Sequence, residues 1–342
     1  MNFNPQNILI IHFGQIGDII LSLPALRVVR EKFPRAKITA LIGKSGADIL
    51  EISGFVDEKI IVDRIRLRDS AKIWSTKQVF KLLRSVRARK FDFIIDLHSL
   101  YETNLLGFFS GAKHRLYANR ANRSLDFLAN FKPKPPRLNR ELHLTDYYLD
   151  VLKPLGAENS KRFVQIRPLQ NYLEKIEKLL ATKNVKNTKL IGLFPGAGHK
   201  SRCWSLDNFS RLGKLLSRDK SLKTIVFLGP EEEHLRQEIE ETFSPEVLIL
   251  DKLSLLEFAA ALSFLEILVS NDTGAAHIGA VVGTKIVLVM DKRAPLNYLP
   301  LTENLRVVNS RTLDGIRVEE VFEAAQSFLR NEKLSLNEIS NR

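Results

Sequence analysis

Residues 271–277 read Asn-Asp-Thr-Gly-Ala-Ala-His, and they stand between an apolar run, 264–269, and a second one that begins Ile278-Gly-Ala-Val-Val. A buried strand that turns straight into a helix leaves the first helical N–H groups without intrahelical partners, and the aligned peptide dipoles add partial positive charge there. The junction therefore suits an anion such as a diphosphate. Gly274 lets the backbone come close, Asp272 or Thr273 could cap the helix, and His277 points back toward the same opening. An ordinary N-cap with a core histidine is the simpler reading of the same residues.

Three further loops carry groups that could do chemistry. The first apolar run ends in His12-Phe-Gly-Gln-Ile-Gly-Asp, where Gly14 and Gly17 permit a tight strand-to-helix turn. Their spacing is neither the Gly-x-Gly-x-x-Gly of a dinucleotide site nor a P-loop with its lysine. Asp18 opens a helix otherwise made of apolar residues, so it is either an N-cap or a general base placed over an acceptor hydroxyl. The run 190–194 leads into Pro195-Gly-Ala-Gly-His-Lys-Ser-Arg-Cys-Trp. Gly196, Ala197 and Gly198 offer backbone amides, Lys200 and Arg202 offer cations, and Trp204 reads as a helix anchor rather than a base-stacking surface. The run 224–228 leads into Gly229-Pro-Glu-Glu-Glu-His, where Glu233 could accept ribose hydroxyls or could simply complement a helix dipole.

Alternating elements must position these loops. Strands are expected at 7–13, 38–42, 59–62 and 91–97, with helices at 17–32, 45–52 and 77–89. Pro133, Pro135 and Pro136 interrupt the pattern before a helix at 144–155. A polar, Lys-rich stretch up to 188 reads as a linker. The alternation then resumes with strands at 189–194, 224–228, 247–250, 267–269 and 285–290 and helices at 206–217, 231–242, 254–263 and 275–282. Strands alternating with helices imply a parallel sheet covered on both faces. The expected organisation is an α/β domain at 1–158, a linker at 159–188, a second α/β domain at 189–330 ending in a helix at 318–329, and a frayed tail at 331–342. Ligands of such sheets bind at the carboxyl ends of strands.

Composition narrows the class. A chain of 342 residues, 44% hydrophobic and 27% charged, is globular and long enough for two cores. It has no stretch of ~18 uninterrupted apolar residues and no basic n-region at its start, which predicts a cytoplasmic protein, and a lone Cys203 fits a reducing compartment. The net charge of +13 is uneven. Residues 1–158 hold 26 basic against 16 acidic side chains, and residues 159–342 hold 26 against 23. Residues 59–90 carry 11 basic and 2 acidic groups, and residues 113–140 carry 8 and 1, a field that attracts polyanions. The basic segments show little aromatic interleaving, so no nucleic acid is expected. A non-catalytic polyanion-binding module is the alternative from outside enzymology.

Taken together the motifs resemble glycosyltransferase family 9, the lipopolysaccharide heptosyltransferases. The resemblance covers nearly the whole chain. It rests on Ile16-Gly-Asp-Ile-Ile-Leu-Ser-Leu-Pro-Ala-Leu, Phe91-Asp-Phe-Ile-Ile-Asp-Leu-His, His143 with Tyr147 and Leu149, Pro195-Gly-Ala with Trp204, and Asn271-Asp-Thr-Gly-Ala-Ala-His. It implies a GT-B fold, two Rossmann-like doubly wound domains facing each other across a cleft, with the acceptor on the first and the nucleotide sugar on the second. It implies inverting, metal-independent and cofactor-free transfer of heptose from ADP-heptose to the Kdo or heptose of the lipid A inner core, with Asp18 as base.

Asp272, Thr273, Gly274 and His277 match the donor motif, Arg202 falls where the family places a phosphate-binding lysine, and Glu233 approximates the ribose acid. His12, Gly17, Arg64, Arg66, Arg68, His98 and Arg120 are the candidates for holding an anionic acceptor. The implied setting is a monomer peripheral to the anionic inner face of the inner membrane. A relative moving another nucleotide-activated sugar to a different glycan is the nearest alternative. The chain departs from the family pattern at His12, where many relatives carry Arg, and at Arg202. It departs again at Val289-Met-Asp-Lys-Arg-Ala-Pro, which stands where a Gly-Pro-Thr turn is usual.

Overall fold

The computed structural model describes residues 3–63, 72–120, 122–157, 160–183, 185 and 188–330. The chain forms two compact units, 1–164 and 165–342. In the first, strands β1 (Asn7–His12), β2 (Lys37–Gly43), β3 (Glu58–Val62), β4 (Phe93–Asp96) and β5 (His114–Tyr117) make one parallel sheet in the order β3-β2-β1-β4-β5. Helices α1 (Ile16–Lys32), α2 (Ala47–Ser53), α3 (Lys72–Ala88), α4 (Tyr101–Phe109) and α5 (Leu144–Val151) accompany it. Strand β1 is buried at every position after its first and apolar from Ile8 to Ile11 because both of its faces are covered, and α1 is apolar nearly all round for the same reason. Thr145 at the start of α5 donates its hydroxyl to Leu21 O at 2.9 Å, which ties α5 onto α1.

The second unit has six parallel strands, β6 (Lys189–Phe194), β7 (Leu222–Phe227), β8 (Leu248–Leu250), β9 (Leu265–Asn271), β10 (Lys285–Asp291) and β11 (Leu305–Ser310), in the order β11-β10-β9-β6-β7-β8. Its helices are α6 (Gln170–Thr182), α7 (Leu206–Leu216), α8 (Arg236–Thr242), α9 (Leu255–Ser263), α10 (Gly274–Val282) and α11 (Val318–Leu329). Both sheets follow the Rossmann order, which runs outward from the first strand in one direction and then returns to the other side of it. The reversal falls between β1 and β4 in the first unit and between β6 and β9 in the second.

The expected linker 159–188 is not a bare connection. Within it α6 buries Ile176 and Leu180, packs against α9, and pairs Lys175 with Glu257, so it belongs to the second unit. Helix α4 and strands β5 and β11 were not expected. Among the described residues no helix is long and apolar enough to cross a membrane. The tail 331–342 lies outside the described residues, as do Arg64, Arg66 and Arg68.

Candidate active site

In the second unit the sheet's reversal brings two of the four loops side by side. Phe194 of β6 is paired with Ser270 of β9, so Pro195-Gly196-Ala197 and Asp272-Thr273-Gly274 leave the sheet next to each other. Asn271, fully buried, binds the two loops together. Its amide donates to Pro195 O at 2.7 Å and more weakly to Gly196 O at 3.4 Å, and its carbonyl accepts from Trp204 N–H at 3.0 Å. Trp204 is the anchor the sequence suggests. It is buried edge-on to Phe209, and its indole N–H donates to Ile316 O at 3.1 Å.

Helix α10 begins at this point, and its N-terminal amides are left open. Thr273 is the N-cap residue in extended conformation, but its side chain makes no capping bond, and Asp272 makes no hydrogen bond among the described residues either. The simple N-cap expected of these residues is therefore absent, which leaves donors and dipole available to an anion. Burial raises the Asp272 carboxyl above its ordinary value, and the charge of Arg202 draws it partly back. Arg202 lies on the loop that Asn271 ties to the start of α10. Lys200 and Arg202 are exposed on a short 3₁₀ turn, shaped by His199 accepting the Ser201 N–H. His277 is buried one turn into α10.

The glutamate register differs from expectation. Glu233 points outward and faces Lys252 at 3.6 Å across solvent. Glu232 is the buried one, lying against the two loop glycines so closely that a Cβ on Gly196 would come within 2.3 Å of its carboxyl carbon, and one on Gly229 within 2.6 Å of its oxygen. Burial and the neighbouring Glu231 raise its pKa, opposed by the backbone N–H groups of Gly229 and of Glu232 itself. The run of three glutamates hides this in sequence, because only the turn geometry decides which of them faces inward. At the end of β10, Asp291 is gripped by Arg293, whose Nε and Nη2 reach its oxygens at 2.9 and 2.5 Å, and the bond holds the carboxyl down to about 2. The Asp291 charge is thus paired within this unusual turn.

In the first unit the reversal gathers a second cluster. Asp18, half-buried at the third position of α1, accepts the Gln15 N–H at 2.9 Å through Oδ2. Burial raises its carboxyl, and the Gln15 N–H offsets part of the rise. Gly14 is required by close approach, since a Cβ there would lie 2.4 Å from Asp18 Cβ and 2.6 Å from His12 Cε1. His12 is buried, and its Nδ1 accepts the Gly14 N–H at 3.1 Å, which assigns the remaining proton to Nε2. Burial first and the neighbouring His98 second push its pKa well below the ordinary value, so the ring is neutral at physiological pH. Its ring lies 4.9 Å from Tyr148 and 5.8 Å from His98. Arg120 donates to His98 O at 2.8 Å, so the structure brings His12, His98, Arg120 and Asp18 to one edge of the sheet, with Gly17 in the first turn of α1.

Sequence reasoning passed over Asp96, which organises this edge. Fully buried at the end of β4, it accepts from Ser99 N–H at 2.7 Å, His98 N–H at 3.1 Å and Asn104 Nδ2 at 2.8 Å. Burial lifts it to about 6 against those donors. Its sequence signals are an acid following an apolar run before His98 and its place in the motif Phe91-Asp-Phe-Ile-Ile-Asp-Leu-His, which gave it no role. Among the described residues no group of three or more His, Cys, Asp or Glu is arranged to hold a metal ion.

These two Rossmann-ordered units with polar loops at both switch points define a GT-B glycosyltransferase fold. A glycosyltransferase family 9 protein from Veillonella parvula superposes with a TM-score of 0.84 at 24% identity, covering 97% of this chain and 99% of that one. Escherichia coli heptosyltransferase WaaC with ADP-2-deoxy-2-fluoro heptose superposes with a TM-score of 0.74 at 19% identity, covering 96% and 100%. Lipopolysaccharide heptosyltransferase 3 of Escherichia coli K12 is 23% identical over 301 residues, 84% of this chain and 83% of its own. Residues 79–321 match the model of glycosyltransferase family 9 (heptosyltransferase). The chain belongs to that family and is a glycosyltransferase.

Proposed function

We propose that this enzyme moves heptose from ADP-heptose to the acidic inner core of lipopolysaccharide, inverting the anomeric centre without a metal. Asp18 takes the proton of an acceptor hydroxyl, the freed oxygen attacks the anomeric carbon from the face opposite the diphosphate, and the bond to the diphosphate breaks to release ADP. The observation that carries this reading is the uncapped N-terminus of α10 next to the loop that carries Lys200 and Arg202, amides and cations suited to the departing diphosphate. The ADP sugar held by the structurally similar WaaC supports the choice of donor. The excess of basic residues in 1–158 supports an acidic acceptor at an anionic membrane surface. Transfer assayed with ADP-heptose and Kdo-lipid A tests the reaction, and the absence of product with every core acceptor would overturn it.

The turn at Asp291–Arg293 favours one second reading, a family member specific for another nucleotide-activated sugar, because it replaces the family's usual Gly-Pro-Thr at the end of β10. Thermal-shift titration over ADP-, UDP- and GDP-sugars separates the two: stabilisation by ADP-heptose alone supports the first.

Two variants follow from the geometry. Glu232→Gln weakens ADP binding roughly tenfold, the cost of one charge-assisted hydrogen bond, whereas Glu233→Gln leaves it unchanged. Calorimetric titration of both reads the register directly, and the reverse pattern restores Glu233 to the role. Gly14→Ala displaces Asp18 and His12 together, and kcat falls on the order of 100-fold with the fold retained, since a misplacement of about 1 Å costs that much. Steady-state kinetics beside a circular-dichroism spectrum check it.

A further inference from the structure

The outward face of α4 is apolar, the inverse of what a solvent-facing helix shows. Its buried residues are Thr103, Asn104, Leu106 and Gly107, while Tyr101, Leu105, Phe108 and Phe109 stand exposed at spacings that form one stripe. Beside the helix, the turn at Asp126–Leu128 holds Phe127 at 68% exposure, and on the adjoining α3 Phe80 is 67% exposed next to Val79. A cluster of five aromatic rings and two aliphatic side chains open to water calls for a covering partner.

The charge around this face says what the partner is. Lys77, Lys81, Arg84 and Arg87 recur at helical spacing on α3, all exposed, and none forms an ion pair with a described residue. Arg123 meets the start of α4 by accepting the Tyr101 N–H at its carbonyl, and the Arg115 guanidinium lies 5.4 Å over the Phe108 ring. The acidic side chains among these rings are Glu102 at the start of α4 and the half-buried Asp126 before Phe127, against the more numerous cations. Aromatic rings bordered by cations match a bilayer interface, where rings settle at the depth of the headgroups and cations meet lipid phosphates. A protein partner would have to be acidic as well as apolar over the same area.

We infer that α4, the 126–128 turn and α3 form the surface by which the enzyme docks on an anionic lipid bilayer, with Phe108, Phe109 and Phe127 inserted and Lys77, Lys81, Arg84 and Arg87 on the headgroups. The inference deepens the proposed function and rests on its reading of the acceptor as a membrane lipid. Helix α4 begins five residues after Asp96, so docking by this face sets the His98 edge of the first sheet close to the lipid.

Flotation of the full chain with vesicles of phosphatidylcholine, alone or mixed with phosphatidylglycerol, tests it. The wild type floats with the anionic vesicles, and added salt reduces the bound fraction. Phe108→Ser/Phe109→Ser/Phe127→Ser lowers vesicle affinity at least about tenfold without loss of melting temperature. Lys81→Glu/Arg84→Glu removes the preference for phosphatidylglycerol, again about tenfold or more. No flotation by the wild type, or flotation untouched in both variants, overturns the assignment. So does a wild-type dimer in light scattering that the triple Ser variant dissociates, because a second copy then covers the face. Transfer to a delipidated, water-soluble core oligosaccharide separates the two proposals. A wild type that floats but does not transfer retains the docking surface and loses the reaction, and one that transfers but does not float does the opposite.

Discussion

Asp18→Asn lowers kcat by a factor of about 10² to 10⁴, the span that general-base catalysis contributes, while the melting temperature stays within about one cap's worth of the wild type. The separation of the two effects comes from the local geometry. The carboxylate accepts the Gln15 N–H through Oδ2, and the carbonyl oxygen of an asparagine can accept the same bond. The substitution therefore keeps the helix start and removes only the basicity. The pH profile adds a sign. Burial, the larger influence, raises the Asp18 carboxyl above its ordinary value despite the Gln15 bond. The base works ionised, so kcat/KM falls as pH drops through that raised value, and the acid limb lies higher than an exposed aspartate gives. In Asp18→Asn this limb is missing from the residual activity. Wild-type kcat in Asp18→Asn would assign the carboxylate to capping alone.

The fold could be read from the sequence wherever burial imposes a continuous apolar run. Strands β1, β2, β6, β9 and β10 are covered on both faces, so each is mostly apolar through its middle and their places are plain. Strand β11 escaped notice because it is an edge, half-exposed at every position, and its Arg306 and Asn309 break the run. Helix α4 escaped for the opposite reason: its outer stripe is as apolar as a core, which erases the polar face that periodicity relies on. Helix α6 was hidden in a Lys-rich stretch because only Ile176 and Leu180 of it are fully buried.

The site was legible in its loops and less so in its individual atoms. The motif at 271–277 and the loop at 195–202 are adjacent because a sheet of Rossmann order places β6 beside β9, which the alternation of elements implies. Whether Glu232 or Glu233 turns inward depends on a single turn, and no periodicity encodes it. Asp96 and Asn271 share a further obscurity. Each is a polar residue at the end of a buried strand, and its value lies in partners distant in the chain or fixed by backbone dihedrals, such as the positive φ of 49° at Ser99.

Asn271 and its neighbour Asp272 divide support from binding, and their substitution has opposite signatures. Asn271→Ala strips a buried carbonyl at Pro195 and a buried N–H at Trp204 of their partners. Each orphaned group costs about 1–3 kcal/mol, so the second unit loses roughly 3–5 kcal/mol and melts about 10 °C lower. Nucleotide binding falls with it, because both loops at the reversal of the sheet are released together. Asn271→Asp does not rescue, since it keeps an acceptor for Trp204 but sets a buried carboxylate against the Pro195 carbonyl. Asp272→Ala behaves otherwise. That carboxyl is raised by burial and makes no hydrogen bond among the described residues, so its loss relieves desolvation and the melting temperature holds or rises. Donor binding still weakens, because the proposed donor site includes this carboxylate. Paired melting curves with and without ADP separate the two variants: Asn271→Ala lowers the apo transition, whereas Asp272→Ala loses only the shift on adding ADP. A normal apo transition in Asn271→Ala would show that the loops are held by something other than this amide.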